Sequence, residues 1–254
     1  MRVSDMGTVI LNNKVLVNQN NVAMYIKPFE PPTKGSIVKM NLDGIERQYR
    51  VLSVNGNVCK VMGMWDDFTS VYNITSTTTT FRDITAQKYE SSTLDTYLNI
   101  TWYNTLSDTA KSAIIPENVV QYCYKYYDTP NTPNTPTYKY QYQYNWSDYY
   151  RNADNIGYAT VGNRNVFALD LKDIFDYFDK VCITSDELMT MFWNSTTKVS
   201  KYLWLRSSRA DNPIGAWRMD GYYGYLDYFV ASYSYIVRPA LNLDMSKIQY
   251  TLVS

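Results

Sequence analysis

Histidine is absent from this chain of 254 residues. Its absence excludes the Ser-His and Cys-His nucleophile pairs, and it removes the side chain that serves most often as a general base and as a transition-metal ligand. The composition therefore argues against an enzyme. We predict a non-enzymatic protein with no catalytic residues.

Cysteine is scarce. The three cysteines are Cys59, Cys123 and Cys182, which are far apart and form no CxxC pair. An odd number at this spacing excludes a disulfide framework and gives no zinc-binding pattern. We predict buried free thiols, no metal and no cofactor.

An excess of charge of either sign is also missing. Lysine and arginine number 24, as do aspartate and glutamate, so the formal net charge is +0 at pH 7. A balanced chain gives no electrostatic reason to expect nucleic acid as a partner. No apolar run is long enough to span a bilayer, and residues 1–7 lack the basic start of a signal peptide. We expect no nucleic acid, no membrane insertion and no signal peptide.

Short strand-like and helix-like segments are present in quantity. Asp43-Gly44 and Asn55-Gly56 lie between apolar runs, which predicts two β-hairpins. Residues of the helix-capping type precede apolar residues at helical spacing in four places, at Ser92, Ser107, Asp170 and Ser185. The first of these helices is expected to end near Asn99. Short helices among strands predict an α+β fold.

Prolines and low-complexity stretches suggest the domain organisation. Residues 1–32 are predicted to form a small β appendage and residues 33–254 the ligand-binding domain, although an extra edge strand of one domain explains the first segment equally well. Residues 75–80 are predicted to form a polar surface loop. Residues 121–150 are predicted to form a Tyr/Pro-rich insert, whose tyrosines either pack on the domain or contact a ligand.

Tyrosine is the residue in excess, with 26 copies. Near the carboxyl end it alternates with small polar residues, and this mixture is typical of binding surfaces because Tyr makes rigid amphipathic contacts while Ser, Asn and Asp make adaptable hydrogen bonds. Asp220-Gly221 predicts a hairpin turn, and Tyr233 and Tyr235 would share one face of an extended segment. The residues predicted to bind the ligand are Ser208, Arg209, Asp211, Asn212, Tyr222, Tyr223, Tyr225, Asp227, Tyr228, Ser232, Tyr233 and Tyr235.

The two ends of this tyrosine-rich stretch have the composition of scaffold. Trp204 and Leu205 are large and apolar, so we expect them in the core. The five-donor forks of Arg206 and Arg238 are suited to holding loop carbonyls or a carboxylate, with ligand binding as the alternative.

Four motifs occur in one order: residues 89–99 (YESSTLDTYLN), 161–169 (VGNRNVFAL), 204–207 (WLRS) and 237–240 (VRPA). In this order they resemble a domain of unknown function, common in gut bacteria and their phages. That domain is related to the C-type-lectin-like fold of formylglycine-generating enzymes and to the variable proteins of diversity-generating retroelements. The resemblance covers about residues 35 to 247.

The resemblance implies a C-type-lectin-like α+β fold with short helices and small antiparallel sheets, in which the stretch between the last two motifs forms a solvent-facing binding surface. In retroelement variable proteins, a mutagenic reverse transcriptase randomises adenines in the codons of that surface. The residues at 208–212, 222–228 and 232–235 fall largely within the set that such codons encode, although an ordinary tyrosine-rich binding surface uses the same residues.

Two activities of similar proteins are opposed by the residues present. Calcium-dependent sugar binding in C-type lectins uses motifs whose order differs from Pro116-Glu117-Asn118 and from Asp211-Asn212-Pro213. Copper-dependent oxidation in formylglycine-generating enzymes uses a cysteine pair near the end of the domain, and no cysteine follows Cys182.

These inferences favour a receptor-binding or adhesin-like variable protein of a phage tail or a bacterial cell surface. Its hypervariable, tyrosine-rich surface would bind a protein or glycan on a cell. A structural virion or adhesin subunit is the alternative, and a homo-oligomer or attachment to a larger virion or surface assembly fits both. An oxidoreductase-like relative of formylglycine-generating enzymes is the third hypothesis.

Overall fold

The computed structural model describes residues 9–11, 14–19, 22–65, 78–81, 84–124, 143–145, 157–180, 182–193, 202–209, 213–221, 224–233 and 235–253. The strands in this part of the chain are β1 Val9–Leu11, β2 Lys14–Gln19, β3 Val22–Pro28, β4 Ile37–Asn41, β5 Glu46–Asn55, β6 Val58–Gly63, β7 Thr78–Phe81, β8 Ile84–Gln87, β9 Ile114–Ile115, β10 Glu117–Tyr124, β11 Gln143–Asn145, β12 Gly157–Arg164, β13 Cys182–Thr184, β14 Tyr202–Arg209, β15 Gly215–Asp220, β16 Tyr225–Val230, β17 Ala240–Asp244 and β18 Tyr250–Leu252.

The larger sheet grows from the two predicted hairpins. Gly44 (φ 90°) and Gly56 (φ 58°) adopt left-handed conformations that are strained for residues with a Cβ. These turns join β4 to β5 and β5 to β6 in antiparallel register, so both hairpin predictions are confirmed. The complete sheet has six strands in the order β18-β4-β5-β6-β17-β9. Its strand β17 comes from the far end of the chain, which fixes that end to the first half of the domain.

The second main sheet carries the candidate site. Its order is β12-β10-β14-β15-β16, and all neighbours are antiparallel except β10 and β14, which pair in parallel. The hairpin predicted at Asp220-Gly221 is confirmed, because β15 and β16 pair from Asp220 with Tyr225 to Gly215 with Val230. The site is therefore built on a continuous hairpin beside β14.

Smaller sheets complete the architecture. Strands β1, β2 and β3 form an antiparallel sheet of their own, and β11 pairs with β13. Strands β7 and β8 also pair, so the predicted polar loop at 75–80 is wrong for residues 78–80, where threonines, which suit a strand, pair with residues 85–87.

The helices begin where capping residues occur. They are α1 Thr93–Thr96, continued by a π-helical stretch Tyr97–Trp102 and by α2 Tyr103–Thr105, then α3 Asp108–Ala113, α4 Leu171–Phe178, α5 Ser185–Phe192 and a 3-10 turn Met245–Lys247. Ser92, Ser107 and Asp170 accept backbone N–H bonds as predicted. The cap of α5 is Thr184 rather than Ser185. The first helical segment continues past Asn99, whose side-chain amide donates to Asp95 one turn earlier as well as to Val166 O.

The predicted insert at 121–150 begins too early. Residues Gln121 to Tyr124 lie inside β10 between two partner strands, and Gln121, Cys123 and Tyr124 are buried. Residues 125–142 and 146–150 lie outside the described residues, so the role of the insert stays a prediction. Tyrosine content misplaced this boundary, because Tyr124 is a core residue.

The core lies between the two main sheets and the helices. Trp204, Trp217, Tyr49 and Phe167 are among its largest fully buried side chains. Trp204 and Leu205 are each 2% exposed, so their prediction as core residues is confirmed. Cys59 is a buried free thiol and Cys123 is also buried, as predicted, and burial raises the pKa of the Cys59 thiol to about 11. The side chain of Cys182 lies outside the described residues.

Candidate functional site

Arg206 stands at the centre of a buried polar cluster that joins the sequence motifs. Its Nε donates to Val120 O at 2.9 Å, and its Nη1 donates to Ala168 O and to Asp173 Oδ2, both at 2.6 Å. Arg206 is 5% exposed. It therefore fastens β14 to β10, to the loop before α4 and to α4 itself. The predicted role of Arg206 in holding carbonyls and a carboxylate is confirmed.

The first two motifs are also joined to each other by side-chain hydrogen bonds. The Asp95 carboxylate accepts from Nε and Nη2 of Arg164 at 2.8 and 2.9 Å, which is the bidentate geometry that makes such pairs strong. The Asn99 amide donates to Val166 O at 2.7 Å and accepts from Val166 N at 3.2 Å. Both pairs connect the first helical segment to the end of β12.

The last motif is fixed by backbone and side-chain bonds. Phe167 and Ala240 exchange reciprocal backbone hydrogen bonds of 2.9 and 2.8 Å. The guanidinium of Arg238, which is 5% exposed, donates to Phe192 O. Arg238 thus also holds a carbonyl, as predicted, and the four motifs together form scaffold.

Electrostatics agree with a structural role for the Arg206 cluster. Burial raises the pKa of Asp170, although Arg206 acts in the opposite direction. Burial also opposes ionisation of Asp173, but the charges of Arg206 and Lys60 outweigh it and lower the pKa of that carboxyl. The Tyr124 hydroxyl donates to Asp170 Oδ1 at 2.6 Å. Each of these groups bonds to another protein group, which is the arrangement of a structural cluster.

A second cluster lies at the surface, on one face of the sheet formed by β14, β15 and β16. Strand pairing places Trp204 opposite Arg218 and Arg218 opposite Asp227, and residues two positions apart on a strand share a face. The segment after β16 runs beside β14, where Leu203 and Ile236 form a parallel bridge. We call the resulting group the aromatic face; its members are Tyr202, Trp204, Arg218, Asp227, Phe229, Tyr233 and Tyr235.

Arg218 lies beneath the rings of the aromatic face. Its Cζ is 3.8 Å from the ring centroid of Tyr202, 4.3 Å from that of Phe229 and 4.9 Å from that of Tyr235. Its Nη1 donates to the Tyr235 hydroxyl at 2.5 Å and its Nη2 to Asp227 Oδ2 at 2.8 Å. Arg218 is 6% exposed; the rings, the Tyr235 hydroxyl and the Asp227 carboxylate replace part of its hydration, while its buried Nε has no hydrogen-bond partner among the described residues.

The rings themselves form a continuous contact network. Centroid separations are 5.0 Å for Tyr202 with Tyr235, 4.9 Å for Trp204 with Tyr235 and 4.6 Å for Phe229 with Tyr233. Trp204 is buried and its Nε1 donates to Tyr233 O at 3.2 Å. Tyr202 and Tyr233 keep 36% and 53% of their surface exposed. The face therefore presents fixed aromatic rings to solvent.

Four of the predicted ligand-binding residues lie on this side of the sheet: Tyr225, Asp227, Tyr233 and Tyr235. The planes of the Tyr233 and Tyr235 rings are 22° apart and their centroids are 6.4 Å apart, as expected for residues that share a face. The described residues of this segment form no full strand, since Tyr235 and Ile236 have the geometry of isolated β-bridges. Ser232 is exposed beside them.

The other predicted residues are placed differently. Arg209 and Tyr228 contact each other, with the guanidinium carbon 3.2 Å from the ring centroid, on the opposite side of the sheet, where Tyr228 also meets Trp217. Asp211, Asn212, Tyr222 and Tyr223 lie outside the described residues.

Ser208 requires a correction. It is fully buried, and its hydroxyl bonds to Gln87 O and to the Gln121 amide. A serine was expected at the surface because small polar residues surround it in sequence. Two distant strands cover this position instead, so Ser208 stabilises the interior and is not part of the aromatic face.

Sequence reasoning missed Tyr202, Phe229 and Arg218. The signal that would have found them is the alternation of β14 to β16, because Arg218 and Phe229 fall on the same face as Asp227 once the Asp220-Gly221 turn fixes the register. Tyr202 was hidden because it lies outside the stretch between the two scaffold motifs.

Among the described residues, no group of three or more His, Cys, Asp or Glu side chains could hold a metal ion. No helix described there is long and apolar enough to cross a bilayer.

Comparison with known proteins gives one match. No curated protein and no solved structure matches the chain. A family model described as a domain of unknown function (DUF6273) matches residues 70–245, which include the four sequence motifs and the whole aromatic face. Because the match covers more than half of the sequence, the chain belongs to this family, the DUF6273 domain of unknown function.

Proposed function

We propose that this protein is a non-enzymatic, receptor-binding or adhesin-like protein whose ligand is contacted by the aromatic face. The observation that supports the proposal is the exposure of Tyr202 and Tyr233 on a group of rings whose positions Arg218 and Trp204 fix. Aromatic side chains at the surface lose little conformational entropy on binding and bury a large area, so they commonly dominate binding energy.

The arrangement favours binding because the rings are held before any ligand arrives. Tyr235 packs between Tyr202 and Trp204 and bonds to Arg218, so its rotamer is set by the protein. Preorganisation of this kind lowers the entropic cost of association. The scaffold motifs meet in the interior and support the face, to which the 204–207 motif contributes the buried ring of Trp204.

We further propose that the surface is diversified and displayed on a phage tail or bacterial cell surface, as in retroelement variable proteins of C-type-lectin-like fold. In support, Tyr225, Asp227, Tyr233 and Tyr235 lie on one side of the sheet, between the fixed ends at 204–207 and 237–240. The test is genetic. A reverse-transcriptase gene near a partial copy of codons 205 to 240, differing at adenines alone, is expected; identical tyrosine codons in all sibling genes would contradict diversification while leaving binding intact.

The binding proposal is tested with the fluorescently labelled full chain on a panel of intact gut bacteria. Tyr233→Ala should weaken the apparent affinity for the cells that bind by on the order of 30-fold, the loss typical of a central aromatic contact. Tyr158→Ala is the matched control: Tyr158 is 56% exposed, but it lies on β12 at the far edge of the same sheet.

Equal binding by the two variants would contradict the proposal. Light scattering on the same samples separates the alternative function, that of a structural subunit. Dissociation of a stable oligomer by Tyr233→Ala, without any effect on cell binding, would favour the structural role.

A further inference from the structure

We propose that the aromatic face binds neutral sugar rings of a cell-surface glycan rather than a charged polymer or a protein. This inference rests on the proposed binding function and specifies its ligand. It follows from the charge of the face, from the exposure and spacing of its rings, from the polar groups at its rim and from its extent.

The charge of the face disfavours ionic ligands. Among its described residues Arg218 is the cation, and it is 6% exposed and paired with Asp227. An anionic polymer would therefore meet no accessible positive charge there. A cationic ligand on Tyr202 would have to share a ring that the Arg218 guanidinium already contacts at 3.8 Å, and a ring polarised toward one cation attracts a second one less strongly.

The exposed rings suit a flat apolar surface that carries weakly positive hydrogens. A pyranose presents such a surface, because its axial C–H bonds project from one side of the ring, and the negative face of an aromatic ring attracts them. Tyr202 and Tyr233, the most exposed rings of the group, are linked through Tyr235, which lies 5.0 Å from the first and 6.4 Å from the second. Sugar rings of one chain could thus contact adjacent tyrosines.

Polar groups beside the rings can bond to sugar hydroxyls. The Asp227 side chain is 38% exposed, and its oxygens keep acceptor capacity beyond the bonds to Arg218 and to Tyr228 N. The Tyr235 hydroxyl accepts from Arg218, which leaves its own hydrogen to donate elsewhere. A hydroxyl-rich neutral ligand uses both groups, whereas a hydrocarbon surface would leave them unsatisfied.

The extent of the face points the same way. A standard protein interface needs roughly 20 to 30 residues on each side. Within the described residues, the aromatic face is limited to the few side chains defined above, close together on three strands and one adjoining segment. A short stretch of glycan is a better match for this extent than a folded protein.

The experiment uses bacteria that bind the labelled full chain, divided into untreated, periodate-treated and protease-treated samples. Periodate cleaves vicinal diols of sugars under mild conditions, and protease removes surface proteins. We expect periodate to abolish binding, protease to leave it, and a rise from about 0.1 to about 1 M NaCl to change affinity less than about threefold, since no exposed ion pair is involved. Polysaccharide extracted from the same cells and freed of protein should bind the wild type, and Tyr202→Ala and Tyr233→Ala should each weaken it by on the order of 30-fold relative to Tyr158→Ala.

The outcomes separate this inference from the function on which it rests. Loss of binding after protease, with binding retained after periodate, would show a protein ligand and overturn the glycan inference while Tyr233→Ala still confirmed the site. A steep salt dependence would overturn the neutral character of the ligand. If Tyr233→Ala bound cells as well as Tyr158→Ala, the proposed function itself would fail.

Discussion

Replacing Arg206 by methionine removes the charge and all donors at the centre of the scaffold cluster while keeping most of the side-chain length. The change leaves Val120 O and Ala168 O without their donors and takes one cation from Asp173. Breaking a buried ion pair typically destabilises by about 3 to 5 kcal/mol. Lys60 Nζ lies 3.3 Å from the other carboxylate oxygen of Asp173 and still offsets part of its charge. We therefore expect Arg206→Met to lower the free energy of unfolding by about 3 kcal/mol, near the lower end of that range.

The assay is urea unfolding followed by tryptophan fluorescence. Arg206→Lys keeps the charge but cannot reproduce three directed bonds, so it should lose about 1 to 2 kcal/mol and remain measurable if the methionine variant does not fold. Lys172→Ala is the control on α4, the helix that carries Asp173, because its exposed pair with Asp176 should contribute less than about 0.5 kcal/mol.

A double-mutant cycle tests the physical reasoning directly. Asp173→Asn removes the carboxylate charge but keeps an oxygen that can accept the helix-capping bond from Asp170 N. The double variant, Arg206→Met with Asp173→Asn, should lose less stability than the sum of the losses of the two single variants, by at least about 1.5 kcal/mol, because the two residues interact. Additivity within about 0.5 kcal/mol would refute the assignment of Arg206 as an electrostatic centre.

Two further predictions concern stability. Because the pKa of Asp173 is lowered in the folded state, its ionised carboxylate contributes fully to stability above the unfolded pKa of about 3.9, and this contribution is lost as pH falls through the lower folded pKa. In urea titrations, the stability difference between the wild type and Asp173→Asn should therefore shrink from pH 5 toward about pH 2. A constant difference would contradict the lowered pKa. Gly224→Ala should destabilise by at least about 2 kcal/mol more than Gly56→Ala in the same assay. Both glycines have positive φ, but a Cβ at Gly224 would lie 2.6 Å from Ser185 O in α5, whereas no described atom lies within 4 Å of a Cβ at Gly56. Equal losses of stability in the two variants would mean that α5 shifts freely to make room.

Local chemistry made part of the fold predictable. The turns at Asp43-Gly44 and Asp220-Gly221 and the caps at Ser92 and Ser107 were predicted correctly, because each depends on residues within a few positions of one another. The roles of Arg206 and Arg238 were also predictable in kind, since a guanidinium beside large apolar residues must find acceptors when buried. Their partners were not, because they come from distant segments.

Two predictions that were based on local composition were wrong. Tyr124 was assigned to an insert because tyrosines are dense there, yet it is a core residue of β10 that bonds to Asp170. Residues 78–80 were assigned to a loop because threonine repeats resemble low-complexity sequence, yet they lie in the paired strand β7. In both cases the structure depends on pairing with strands that lie outside the segment on which the prediction was based.

The sequence alone determined the hairpins, the helix starts, the two scaffold ends of the tyrosine-rich stretch and the prediction that Tyr233 and Tyr235 share a face. Only the tertiary structure decided which face meets solvent. A period of two assigns residues to sides of a strand but does not say which side other elements will cover. Ser208 is buried because its partners Gln121 and Gln87, 87 and 121 positions away, close over it, whereas Tyr202 and Tyr233 stay exposed around a buried Arg218.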